Sequence, residues 1–165
     1  MAKPGLFARE AAVRLLHAVL LERRLLIDLV NGEDSPLIDL EPNERARAQS
    51  LAMTTLRNLG PVDAVLEQFL TKQTPFSLLN ILRVAATEIL VDGIAAHAAV
   101  DVAVTMAKRR QKTEHLKNLA NAVLRKVASE GPAIFATLSP QELPKAFRSQ
   151  MSKIIPKEDF VAIEL

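Results

Sequence analysis

The sequence predicts an all-α protein, a compact bundle of about six to seven helices, from three observations. Leu, Ala and Val dominate a chain of 165 residues of which 49% are hydrophobic, and Leu and Ala favour helices. Aromatic residues, which favour strands, are scarce, with six Phe and neither Tyr nor Trp. Apolar residues recur at intervals of three and four positions, the period of an amphipathic helix, and no stretch alternates convincingly like a half-buried strand.

The first half of the chain contains three predicted helices. Residues 6–30 form the first, and a polar, acidic stretch over residues 31–41 is an exposed loop. The second helix covers residues 42–59, since a proline suits its first position. A Gly-Pro pair then breaks the chain and starts a shorter helix over residues 61–72.

The next helix is predicted to be the centre of the bundle. Thr74-Pro75 provides a cap and a first-turn proline, and the helix runs to about Asp92 with little polar surface. Arg83 and Glu88 are the exceptions in this apolar run. We expect each of them either to extend its charged end to solvent or to form a structural pair, rather than to take part in chemistry, because a charged side chain is seldom buried unless it is paired.

The segment from His97 to Val127 carries two apolar helical patterns on either side of a basic turn. Thr113 is expected to cap the second of these helices, which is predicted to end at Gly131-Pro132. His97 is expected to make structural hydrogen bonds, as no partners for a metal site or catalytic triad accompany it. Asn121 lies among apolar neighbours and is expected to be buried and hydrogen-bonded.

Basic residues are concentrated in this same segment and make it the candidate binding surface. Lysine and arginine on a rigid helical frame can neutralise phosphates, so the pattern favours a polyanionic ligand over a merely solvated helix face. The candidates are Lys108, Arg109, Arg110, Lys112 and Lys117 of this segment first, and Arg125 and Lys126 of the same segment with Arg9 and Arg14 of the first helix second. For the basic residues of the first helix, a solvated face is the favoured interpretation, and a phosphate-contacting edge is the alternative.

Composition and motifs argue against several classes of protein. The chain has no cysteine, which excludes a disulfide scaffold, a thiolate zinc site and a cysteine nucleophile within it. Its five glycines are isolated, so no nucleotide-binding glycine-rich loop is present. Neither a signal peptide nor a run of 18 apolar residues is found, which predicts a cytoplasmic protein without a membrane partner. The net charge of +2 makes the basicity local.

Three stretches together resemble a known family. They are ARAQSLAMTTLRNLGPVDAVLEQFL at 46–70, LLNILRVAATEIL at 78–90, and HAAVDVAVTMAKR followed by NAVLRKV at 97–109 and 121–127. In this order and spacing they are similar to the NusB-like all-helical RNA-binding domain. The NAVLR ending resembles the version at the N-terminus of bacterial ribosomal RNA cytosine-C5 methyltransferases, the RsmB/Sun/Fmu family.

This resemblance implies a function and a division of the chain. Residues 1–138 would be an RNA-binding domain that positions ribosomal RNA, and residues 139–165 the start of a connection to a methyltransferase domain outside this chain. The chain itself would not be an enzyme and would hold no cofactor, whereas the absent catalytic domain would bind S-adenosylmethionine. Its partners would be ribosomal RNA and that domain. In free-standing NusB the N-terminal helix carries an arginine-rich RNA-binding motif, to which Arg9 and Arg14 correspond here.

Two other functions stay open at this point. The chain could be a free-standing NusB-type transcription antitermination factor, which binds RNA together with a ribosomal protein. It could also be a helical protein-interaction domain whose basic turn is only solvated. Self-association through helical faces, giving a homodimer, is compatible with each of these functions.

Overall fold

The computed structural model describes residues 3–71 and 73–138, and these residues form seven α-helices with no strand among them. This confirms the predicted fold class and number of helices. The predicted extension over residues 139–165 lies outside the described residues. The helices are α1 (Leu6–Leu20), α2 (Leu26–Asn31), α3 (Pro42–Arg57), α4 (Leu59–Glu67), α5 (Phe76–Leu90), α6 (Ala96–Lys108) and α7 (Lys117–Thr137).

Helix α5 occupies the centre of the bundle, as its sequence predicts. Leu78 and every residue from Asn80 to Glu88 are buried. Five other helices, α1, α3, α4, α6 and α7, contact α5 directly. Because it is covered on all sides, α5 is the frame against which the other helices are positioned.

Helices α6 and α7 pack along each other and along α5. The basic turn joins them through a short 3-10 turn, Glu114–Leu116. The buried Thr113 hydroxyl donates a hydrogen bond to the carbonyl of Ala107 at 2.7 Å. The predicted cap at Thr113 is therefore wrong, since this side chain satisfies a carbonyl at the end of α6 and no amide at the start of α7.

The predicted first helix, residues 6–30, is in fact two helices. The chain leaves α1 after Leu20 and passes through Arg23, whose φ of 58° is in the left-handed region. The Arg24 amide then donates to the carbonyl of Ala18 at 3.0 Å. Glycine normally marks such a helix end, and its absence here hid the break from a sequence analysis.

Other predicted helix ends also differ from the observed ones. Helix α3 ends two residues early, so that Gly60 and Pro61 lie in the first turn of α4, where proline is tolerated. No side-chain cap precedes α5, and Pro75 itself occupies the N-cap position. The expected cap at Thr74 is therefore wrong.

Helix α7 does not end at Gly131-Pro132, as predicted, but continues through both residues to Thr137. A Cβ atom at Gly131 would lie 3.2 Å from Leu90 Cδ2 and 3.4 Å from Val65 Cγ1. The glycine is thus required by close helix packing rather than by a helix end.

A buried ion pair fixes the start of α1 to the central helix. Arg9 Nε and Nη2 donate to the two carboxylate oxygens of Glu88 at 2.6 Å and 2.7 Å, and the side chains are only 6% and 3% exposed. Arg47 adds a longer contact of 3.8 Å to the same carboxylate. Arg9 was a candidate RNA contact in the sequence, and its burial corrects that assignment.

Arg83 also has a structural partner, as expected. Its guanidinium donates two hydrogen bonds of 2.8 Å to the carboxylate of Asp63, and a third of 3.0 Å to Asn80 Oδ1. It also lies 5.6 Å from the ring centroid of Phe76. These contacts link α4 to α5 and account for both charged residues of the central helix.

Removing one member of the buried pair should be costly. We expect Glu88→Ala to lower the free energy of unfolding by about 3–5 kcal/mol, because Arg9 would keep a buried charge without its partner. Urea denaturation followed by circular dichroism measures this loss. Arg24→Ala is the matched control, since it breaks an exposed pair with Asp34 at 3.4 Å and should cost less than about 1 kcal/mol. Equal losses would contradict the structural importance of the buried pair.

A second prediction concerns Gly5, the N-cap of α1, whose φ is 76°. A Cβ at this position would overlap the guanidinium of Arg9. Gly93 has a similar φ of 67°, but its Cβ would meet no described atom within 4 Å. Gly93→Ala should therefore cost about 1–2 kcal/mol from backbone strain alone, whereas Gly5→Ala should cost measurably more. Thermal unfolding of the two variants compares them, and similar losses would contradict the predicted overlap.

Candidate nucleic-acid interface

An open groove with a volume of about 750 Å³ lies between α6 and α7. Helix α6 and the facing side of α7 contribute all of its lining. The lining residues are Ala96, His97, Val100, Asp101, Val104, Lys108, Lys117, Asn118, Asn121, Arg125, Ala128 and Ser129.

Helical periodicity explains why these residues share one groove. On α6, His97, Asp101, Val104 and Lys108 follow one another at intervals of four, three and four positions, so they lie on one face. The lining residues of α7 follow the same rule, from Lys117 through positions 121 and 125 to positions 128 and 129. The lining thus combines apolar side chains with polar and cationic ones.

Three of the nine candidate RNA contacts line the groove, namely Lys108, Lys117 and Arg125. Arg125 is oriented by its own helix, because its Nε donates to Asn121 Oδ1 at 3.1 Å. Asn121 was expected to be buried, but it is only half-buried and belongs to the groove surface. Its amide thus positions a cation, a role that burial among apolar neighbours would not allow.

Asp101 is the one acidic residue among those that line the groove in the described chain. Lys3 Nζ lies 2.7 Å from both of its carboxylate oxygens, although 98 positions separate the two residues. The ion pair cancels the negative charge locally. The groove therefore presents the three cations without an uncompensated carboxylate beside them.

The other half of the basic turn faces away from the groove, toward α1. Arg109 Nε lies 3.0 Å from Glu10 Oε1. Burial lowers the pKa of Arg110, with Arg14 acting in the same direction and Glu10 opposing them, although arginine keeps its charge in proteins. A cavity of about 460 Å³ on this side is lined by both Glu10 and Arg109, and by Asp39, Glu41 and Glu44. Carboxylates thus outnumber arginines there.

The remaining candidates occupy separate positions. Lys112 and Lys126 are exposed and do not line the groove, Arg14 lies on the acidic side, and Arg9 is buried. The basic cluster is continuous in sequence, but in the structure it is divided between at least two surfaces. The candidate site residues did not include Lys3, which pairs with Asp101, or the lining residues Asp101, Asn118 and Ser129. A helical-wheel projection of α6 and α7 would have indicated the last three, but not the contact of Lys3.

The described residues show neither a metal centre nor a membrane helix. No group of three or more His, Asp or Glu side chains within residues 3–71 and 73–138 could hold a metal ion. No helix in these ranges combines the length and apolarity needed to cross a bilayer. What the groove offers chemically is a set of cations and amides together with apolar side chains.

Comparison with known proteins gives a family and a fold. Residues 7–129 match the model of the NusB family. Among solved structures, NusB from T. maritima superposes with a TM-score of 0.65 at 23% sequence identity, over 84% of this chain and 100% of the T. maritima chain. No curated protein sequence gives a significant match. The structural likeness confirms the predicted NusB-like fold, and the family match over most of the chain shows that this protein belongs to the NusB family.

Proposed function

We propose that this NusB-type domain binds RNA through the α6–α7 groove. The observation that carries the proposal is the convergence of Lys108, Lys117 and Arg125 on one groove whose carboxylate is already paired. Amine and guanidinium groups make charge-assisted hydrogen bonds to phosphate. Release of counterions from the neutralised phosphates would supply much of the affinity.

The acidic cavity near α1 supports the choice of the groove over the other side of the basic turn. Arg109 is already paired with Glu10, and three further carboxylates line the same cavity. An RNA backbone approaching there would meet like charges. Lys112 and Lys126, being exposed beyond the groove, would make secondary contacts to a longer RNA.

At finer detail, the proposed function is that of the RNA-positioning domain of a ribosomal RNA cytosine-C5 methyltransferase. The resemblance of the NAVLR sequence at 121–125 to that enzyme family supports this function, and its first and last residues are the Asn121–Arg125 pair of the groove. The domain would hold folded ribosomal RNA by its shape and phosphates, with little base stacking because aromatic residues are few. Cysteine chemistry and S-adenosylmethionine binding would belong to a catalytic domain outside this chain.

A second candidate function is that of a free-standing antitermination factor that binds RNA together with a ribosomal protein. The alignment with NusB from T. maritima favours it, because that entire chain is covered by this one. Both candidates use the same helical fold and an RNA-binding surface. They differ in the target RNA and in the need for a protein partner.

The groove assignment predicts different effects for two pairs of lysines. Lys108→Ala with Lys117→Ala should weaken RNA binding at least tenfold and lower the slope of log K against log salt by about 1.5. Lys112→Ala with Lys126→Ala is the matched control, since it removes the same charge from outside the groove. It should weaken binding less than about threefold. Fluorescence anisotropy at several salt concentrations measures both, and equal losses would contradict the groove as the main site.

The two candidate functions predict different preferences for the RNA target and for a protein partner. A positioning domain should bind small-subunit ribosomal RNA fragments at least tenfold more tightly than unrelated RNA of equal length, with or without added protein. An antitermination factor should instead gain affinity for RNA when purified small-subunit ribosomal proteins are added. Filter binding with the full chain distinguishes these results. Absence of binding to every RNA at low salt would contradict both functions and favour a protein-interaction domain.

A further inference from the structure

We infer that Lys3 controls the charge of the α6–α7 groove indirectly, by neutralising Asp101, and does not itself contact the bound anion. The inference rests on the proposed function, because it concerns the same groove and its anionic ligand. It assigns a role in ligand binding to a residue far from the basic turn in sequence. Lys3 is thus a positioning residue for the electrostatics of the site.

The geometry of the contact supports this role. Lys3 Nζ bonds both Asp101 oxygens at the same distance of 2.7 Å, and the two side chains are 42% and 60% exposed. The ammonium is therefore directed at the carboxylate on the groove wall. Lys3 is not itself among the residues that line the groove.

Contacts with the protein interior fix the backbone of Lys3. The Lys3 carbonyl accepts a hydrogen bond from the Leu6 amide at 3.1 Å, and Gly5 completes this turn with its left-handed φ. Gly5 in turn packs against the Arg9 guanidinium that is bound to Glu88. The segment that carries Lys3 is thus fixed to the central helix and not left as an unattached terminus.

The position of Asp101 makes its neutralisation matter for anion binding. It lies seven residues before Lys108 on the same face of α6, a rise of about 10 Å, which is comparable with the Debye length at about 0.1 M salt. An unpaired carboxylate would therefore repel a phosphate bound at Lys108. This repulsion should be modest and should decline as salt is added.

A double-mutant cycle at Lys3 and Asp101 tests the inference. The chains are the wild type, Lys3→Ala, Asp101→Asn and the double variant, with Arg24→Ala as a control that breaks an exposed ion pair outside the groove. The probes are a labelled small-subunit ribosomal RNA fragment, followed by anisotropy, and tripolyphosphate, followed by the NMR shifts of the Val104 and Asn121 amides. Thermal unfolding confirms that each variant is folded.

Lys3→Ala should weaken binding of both probes about threefold at about 0.1 M salt, and the loss should shrink at about 0.5 M. The double variant should bind like the wild type, because the groove again has no uncompensated carboxylate. Asp101→Asn alone should bind at least as tightly as the wild type, and Arg24→Ala should have no effect. A double variant as weak as Lys3→Ala would overturn the inference, because Lys3 would then contact the anion directly. An unchanged affinity of Lys3→Ala would overturn it as well.

The two probes separate this inference from the proposed function. Coupling between Lys3 and Asp101 with tripolyphosphate, but no RNA binding by the wild type, would uphold the neutralisation and overturn RNA as the ligand. RNA binding that depends on Lys108 and Lys117 without such coupling would overturn the inference and leave the function standing. If neither probe binds the wild-type chain, both are overturned.

Discussion

The ion pair between Arg9 and Glu88 is the constraint on which the arrangement of this domain depends. Two hydrogen bonds shorter than 2.8 Å connect the first helix to the central one in a site that excludes most water. Such a pair gains little over well-packed apolar side chains, but neither partner can be left alone without a large loss. The effect of the pair is therefore geometric, since it fixes the position of the start of α1 relative to α5.

A series of contacts connects this ion pair to the binding surface. Gly5 allows the chain to turn closely over the Arg9 guanidinium, and the turn brings Lys3 to Asp101 on α6. A residue of the core and a residue of the groove rim are thus connected through six positions of sequence. Arg9, which the sequence made a candidate RNA contact, thus affects the binding surface indirectly, by fixing the turn that carries Lys3.

Sequence patterns predicted much of the fold but only part of the site. Apolar periodicity and the charge-poor run of α5 were sufficient for the fold class and the central helix. Predicted helix ends were wrong where a residue had an uncommon role. Arg23 adopts the left-handed conformation that glycine usually takes, and Gly131 is required by close contact with Leu90 rather than by a helix end. The site was divided because neighbours in a turn can face opposite sides, so that Arg109 meets Glu10 while Lys108 faces the groove. The contact of Lys3 with Asp101 depends on tertiary packing alone and leaves no local signal.

The length of α7 has a consequence for whatever follows it in the chain. The helix passes Ser129, the last residue of the groove, and continues without a break to Thr137. These eight further residues correspond to a rigid rise of about 12 Å. The end of the helix at Thr137 therefore lies at a fixed distance and direction from the groove. The last turns of α7 thus separate the end of the helix from the groove and do not contribute to its lining.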